Sequence, residues 1–298
     1  MSKLNEIIKF PKYQIHLPIS KQEKYFRPFT VREESTLLLA KQTENPTILL
    51  KNLIDVMSVC FGEDVSSYCL ADFEYAFLKF REKSIGELET FEFKCPETQE
   101  QVSSSVNLLN DILVVNDIPK NRIQLDEGIV VEFTPPTIHT ILEVPDYKKN
   151  TEDSIKYISK CISKIQNKKQ VLKAEDLSNT ELQEFLYNLT KKQFQQVLDY
   201  FENQPKTYVV FNYMTNDGKV RNVQSSGILS LLNFFFDHIS LHTFFTLMFQ
   251  MKYFHNYSMD EYYDMLPWQR HVLTNLIIAE LEKEKNNKQH GSTEFYTV

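Results

Sequence analysis

The chain has 298 residues, a formal net charge of -7, 42% hydrophobic and 24% charged side chains. This length holds one large or two modest domains of roughly 100–200 residues each, and the composition excludes a disordered chain. The acidic balance gives no global field for nucleic acid, and six glycines are too few for phosphate-cradling loops or a many-turned sandwich.

The first segment, "MSKLNEIIKFPK", lacks a long apolar run and reads as no secretion signal. "YQIHL" and "KYFRPF" read as two short strands joined by "PISKQE". Pro28 has no amide to donate, so the second strand should stop there. "TVRE" at Thr30 to Glu33 has the form of a capping box and opens a helix with Leu37, Leu38 and Leu39. A second helix runs through "TILLKNLIDVMSVCF" after Pro46. In "DFEYAFLKFREK", Phe73, Phe77 and Phe80 follow helical spacing. Arg81 and Lys83 then fall in its last turn, where cations complement the helix dipole, and Gly86 reads as the terminator.

From Leu88 to Phe133 the period changes to strand alternation, predicting a small antiparallel sheet. Helical spacing resumes at Thr151, with Ile155, Ile158, Ile162 and Ile165 on one stripe. "SNTE" at Ser178, "TKKQ" at Thr190 and "SMDE" at Ser258 are further capping boxes. "TYVVFNYMTNDGKVRNV" predicts a hairpin near 207–223, turning at Asp217-Gly218. Beyond Gly227 the chain reads as helical, with Pro267 in a helix first turn. Asp237, His238, His242 and Lys252 interrupt the most apolar stretch, predicting a buried helical hairpin and no membrane span. The expected fold class is α+β: an N-terminal hairpin, helices and a small antiparallel sheet, then a mainly helical half carrying one β-hairpin. The polar "PDYKKNTED" stretch divides the chain into residues 1–145 and 146–298.

No catalytic constellation stands out. Cys60, Cys69, Cys95 and Cys161 form no C-x-x-C pair and have no His at ligand spacing, which argues against zinc and fits a reducing cytosol. His238 and His242 lie four apart beside Asp237. Their Phe and Leu neighbours read them as interior or boundary histidines, and the rival reading is a hydrolase metal site lacking its glutamate. The turns "CPETQEQ" and "TNDGK" look like zinc-ribbon knuckles without the cysteine pairs. Phe234 to Phe236 and Phe244-Phe245 read as core. "PWQR", Pro267 to Arg270, divides evenly between a Trp anchored in the core and an interface anchor.

Several strings recur in a familiar order. "HLP" with "YFRPFTVREESTLLLA", then "DFEYAFLKFREKSIGE", "FKCPETQEQV" and "VEFTPPT" resemble the T4-type phage baseplate hub protein family. "LTKKQFQQVLDYFENQP", "NDGKV", "GILSLLNFFF", "HISL" and "MLPWQR" extend the resemblance, which runs from about His16 to Glu284. It implies a non-catalytic subunit of contractile-tail morphogenesis without cofactor. Its partners would be other hub and tail proteins, with no nucleic acid or membrane, and self-association is open. It would reside in the virion baseplate and, during assembly, in the host cytoplasm. An assembly chaperone absent from the virion is the alternative. Phe26, Arg27, Phe29 and Arg32 are read as one partner-facing or domain-locking cluster, and Trp268 and Arg270 as a second. Arg81 is a further contact candidate.

Overall fold

The computed structural model describes residues 10–115, 117–126, 128–145, 147, 149–235 and 239–291. Strands β1 (Tyr13–His16) and β2 (Glu23–Phe26) form the expected hairpin, with Tyr13 opposite Phe26. The second strand ends before Pro28, as an imino residue requires. Helix α1 (Val31–Lys41) starts at the Thr30 box, where the Glu33 carboxylate accepts from the Thr30 amide at 2.8 Å. Helix α2 (Pro46–Phe61) has Pro46 in its first turn and the Asn45 side chain as cap. Its chain reverses at Gly62, where φ of 73° suits a residue without Cβ. Helix α3 (Leu70–Ser84) buries Phe73, Phe77 and Phe80.

The strand region divides differently from the single sheet expected. Strands β3 (Leu88–Lys94) and β4 (Gln101–Asn107) pair with each other alone. The short β5 (Ile112–Val115) leaves them and pairs with a strand some ninety residues downstream. Strands β6 (Arg122–Asp126) and β7 (Ile129–Phe133) begin a four-stranded sheet. Helix α4 (Ile138–Glu143) follows.

The isoleucine stripe is corrected at its middle. Helix α5 (Thr151–Lys160) carries Ile155 and Ile158, but it ends at Cys161. Ile162 and Ile165 lie in β8 (Ile162–Gln166), which pairs with β7 and with β9 (Val171–Lys173). β-branched residues in a short run satisfy both periods, and pairing to β7 decides between them. The second half therefore carries two hairpins where one was expected.

Helices α6 (Asn179–Tyr187) and α7 (Lys191–Glu202) start at the Ser178 and Thr190 boxes. The predicted hairpin is β10 (Lys206–Met214) with β11 (Val220–Ser226), and β5 completes a sheet of order β11-β10-β5. Gly218 turns it at φ 75°. Helices α8 (Ile228–Phe235), α9 (Leu241–His255), α10 (Met259–Asp264) and α11 (Pro267–Gly291) close the described chain. Among the described residues no helix is long and apolar enough to cross a membrane.

Two apolar clusters organise these elements. The larger runs from Ile15 to Leu232 and draws on residues from both sides of position 145. The smaller joins Val31 and Leu38 of α1 to Phe244, Met251 and Tyr262 of the last helices. Helix α1 serves both, because Leu37 and Ala40 enter the larger cluster while Val31 and Leu38, seven apart, face the smaller.

Candidate interaction site around the first helix

The string "RPFTVREE" has no spare charge. Phe26 lies between Tyr13, Phe61 and Phe80, with ring centroids 5.9, 5.0 and 5.8 Å away. Phe29 packs on Phe80 at 5.1 Å, and its amide donates to Ser84 Oγ. Both rings are buried. Between them, Arg27 turns outward and forks onto Glu33, donating Nη1 at 2.9 Å and Nη2 at 2.6 Å. The same Glu33 caps α1, so one carboxylate ties strand end, proline turn and helix start. Arg27 beside it pulls the Glu33 carboxyl below its usual range, against the opposing effect of burial, and the Thr30 amide and hydroxyl add to the pull.

One turn on, Glu34 lies on the Val31 and Leu38 face, where an unpaired carboxylate would be costly. Arg270 from α11 meets it with Nη1 at 2.5 Å and Nη2 at 3.0 Å, both side chains buried. The guanidinium also lies over the Phe244 ring, 5.4 Å from its centroid. Arg32 reaches Asp260 and Asp264 of α10 at 3.3 Å and lies over the Tyr263 ring. Its partners are exposed, so this contact is worth roughly 0–1 kcal/mol. The Val31 amide donates to the Met265 carbonyl at 2.9 Å. This first turn is therefore a clasp: its start holds the N-terminal hairpin and its far side holds the last three helices.

"PWQR" resolves the same way. Pro267 starts α11, Gln269 accepts from the Leu266 amide at 2.8 Å, and Arg270 enters the clasp. Trp268 is 42% exposed, which overturns the reading of a core anchor. It borders a shallow depression with Tyr13, Lys83 and Leu88. Arg81 does not serve the helix dipole from the surface. It is buried, donates to the Gly86 carbonyl at 2.8 Å and pairs with Glu89 of β3. Burial lowers its pKa to about 10. Of the candidates, Phe26, Phe29, Arg81 and Arg270 are interior, Arg27 is half-buried, and Arg32 and Trp268 reach the surface.

The two knuckle-like turns come together. Arg221 of β11 donates to Glu97 in the first turn at 2.9 Å and to both carboxylate oxygens of Asp217 in the second. The Asn216 amide donates to Glu100, and Cys95 Sγ lies 3.4 Å from the Tyr213 hydroxyl. One thiol among Thr, Asn and Gly residues is not the four-donor set that zinc requires. Ionic hydrogen bonds here join the turns. Among the described residues no three His, Cys, Asp or Glu side chains group as a metal would need. Asp237 and His238 lie outside the described residues, and His242 is exposed on α9, not interior.

A cleft of about 680 Å³ opens where Tyr147 stacks on Tyr157 at 4.1 Å, with Phe201, Pro135 and Pro136 also in its walls. Its thiol, Cys69, has its pKa raised to about 12, first by burial and then by Asp72. Such a thiol stays protonated and is a poor nucleophile.

Glu74 of α3 is buried where β10 meets the start of α8. It accepts from the Thr207 amide at 3.4 Å, and the nearby amides of Gly227 and Ile228 favour its charged form. Burial nevertheless pushes its pKa up to about 8. The folded value lies above the unfolded one, so its stabilising share is full below the unfolded pKa and is lost as pH rises through 8. Urea midpoints should therefore fall more for wild type than for Glu74→Gln between about pH 5 and about pH 8. Parallel profiles would contradict this.

A family model described as T4 bacteriophage base plate protein matches residues 10–235. The chain belongs to that family, which places it in the tail baseplate among other baseplate proteins. The match includes "RPFTVREE" and ends at the last described residue of α8, so "HISL" and "MLPWQR" fall beyond it. No curated protein and no solved structure matches the chain.

Proposed function

We propose that this baseplate protein is a structural subunit of the hub, which joins its neighbours by protein contact and turns over no substrate. The observation that carries the reading is the placement of charge and rings. Arg27, Glu33 and Glu34 of the motif are paired within the fold, while large aromatic side chains of α9 and α11 are left at the surface. Interfaces are enriched in such rings and depleted of charge at their centre. The hub, among baseplate parts, is supported by the ordered strings that resemble hub proteins. The net charge of -7 agrees with protein partners over nucleic acid.

Native affinity purification from infected cells tests this reading. Tail and hub proteins are expected to co-purify with the tagged chain. Recovery of the chain without any tail protein would overturn it. The rival role, an assembly chaperone absent from finished particles, fits the same exposed rings as a transient cover and is separated by particle composition.

A further inference from the structure

Helix α9 reads "LHTFFTLMFQMKYFH". It has no acidic residue and one lysine, and it is apolar on nearly all sides. A helix of that character is normally covered all round. Its inner face is covered, with Phe244 and Met251 in the smaller cluster. Its outer face is not. Phe245, Phe249 and Tyr253 follow one another at four-residue spacing and are 39%, 56% and 69% exposed, with Phe254 beside them at 64%. Phe249 and Tyr253 stack at 5.3 Å and 13°, making a flat aromatic plate, and Phe254 meets both edge-on. The expectation of a buried helical hairpin thus fails on one face.

We propose that this plate is the contact between two copies of the chain, which pair α9 antiparallel about a two-fold axis at Phe249. Three features favour a second copy as the occupant. The stripe is symmetric about its centre: a two-fold at Phe249 brings Phe245 of one copy onto Tyr253 of the other, ring on ring. The self-complementary patch that an isologous dimer requires is therefore already present in one helix. Charge is also compatible. The same axis places Lys252 opposite Thr246 and His242 opposite Asn256, so a chain of net charge -7 meets itself with no like charges opposed along the helix. Antiparallel alignment also opposes the helix dipoles favourably. Area is adequate. At these exposures the four rings offer roughly 450 Å² per copy. Two copies approach the roughly 1,000 Å² of a small specific interface before flanking atoms are counted.

The plate is braced from below. Phe244, its neighbour, packs edge-on against Phe245 at 5.4 Å and against Tyr262, and carries the Arg270 guanidinium on its face. The surface is therefore held by the clasp and needs no reordering to pair. The family match ends before α9. The contact belongs to this chain's own C-terminal helices, and the proposal does not rest on the hub assignment.

Sedimentation velocity on the full chain tests it. The wild type should move from 35.2 kDa toward twice that mass as concentration rises. Phe249→Glu, at an exposed position, should stay at the monomer mass, with the thermal midpoint of the wild type at dilutions where both are monomers. Phe249→Cys should cross-link to itself under mild oxidation. Phe245→Cys and Tyr253→Cys should cross-link when mixed and far less when alone. A wild type that is monomeric throughout overturns the proposal, as does a dimer that survives Phe249→Glu or fails to cross-link at position 249. A monomer whose plate is covered only when baseplate proteins are added gives the surface to a different partner and equally overturns it.

Discussion

Replacing Arg270 with alanine is expected to lower stability by about 3–5 kcal/mol, because it removes the forked cation from a buried, charged Glu34. The loss should appear first at the C-terminal end. Arg270 is the deepest tie between α11 and α1, while the Arg32 contacts beside it are exposed and weak. Hydrogen exchange in 241–283 should rise before exchange in α3 does. Replacing both members, Glu34→Leu with Arg270→Met, should recover most of the loss, since a packed apolar pair is often as stable as a buried ion pair. Urea denaturation of the single and double variants measures this. Equal destabilisation in both would show that the pair's charge is not what matters.

Phe26→Ala should cost about 3–5 kcal/mol, the range for removing a buried aromatic ring. The ring touches three others, and Phe80 beneath it also supports Phe29. A cavity at this point therefore loosens the hairpin and the start of α1 together. Phe26→Leu should cost markedly less, because it keeps most of the volume. Arg27→Ala, a few ångströms away, should cost less than Phe26→Ala, since its pairing with Glu33 is half-buried and partly solvated. An Arg27 variant more damaging than the Phe26 variant would reverse the assignment of the ring as structural anchor and the arginine as clasp.

These expectations show which parts of the fold local chemistry announces. Helix starts were legible wherever a side chain caps its own backbone: Thr30, Ser178, Thr190 and Ser258 all begin helices as their spacing predicts. The Asp217-Gly218 turn was legible for the same reason. Illegible elements were those fixed by a distant partner. Strand β5 has only four residues and exists because β10 pairs with it. Ile162 and Ile165 fit a helical stripe until β7 claims them as a strand. The supposed single sheet from Leu88 to Phe133 belongs to three, since two of its members pair with strands after residue 160.

The candidate site was legible in part. Phe26 and Phe29 share the Phe80 ring while Arg32 points away to α10, and the Glu34 to Arg270 tie spans 236 positions with no local pattern to signal it. One signal was available in retrospect: Glu34 shares a helical face with Val31 and Leu38, where a carboxylate needs a buried cation. From sequence the exposed face of α9 reads as core, because a largely apolar helix without acidic residues carries no mark of which side a partner will cover. The knuckle turns look alike in sequence, but nothing there marks Arg221, which joins them. It lies on the neighbouring strand and becomes a bridge only once β3 and β10 are stacked.

A consistent physical picture links these parts. The family-matched body ends in α8, and among the described residues α9 to α11 fold back onto its first helix through the buried Glu34–Arg270 pair, the Val31–Met265 backbone hydrogen bond, the exposed Arg32 contacts and a small apolar cluster. The attachment leaves aromatic surface outward, which is what a subunit assembled by contact needs. Quantitative mass spectrometry of purified virions tests that role most directly. A hub subunit should be present at a fixed copy number relative to other baseplate proteins. Abundance in infected cells with no peptides in finished particles would contradict the structural role and assign the chain to assembly alone.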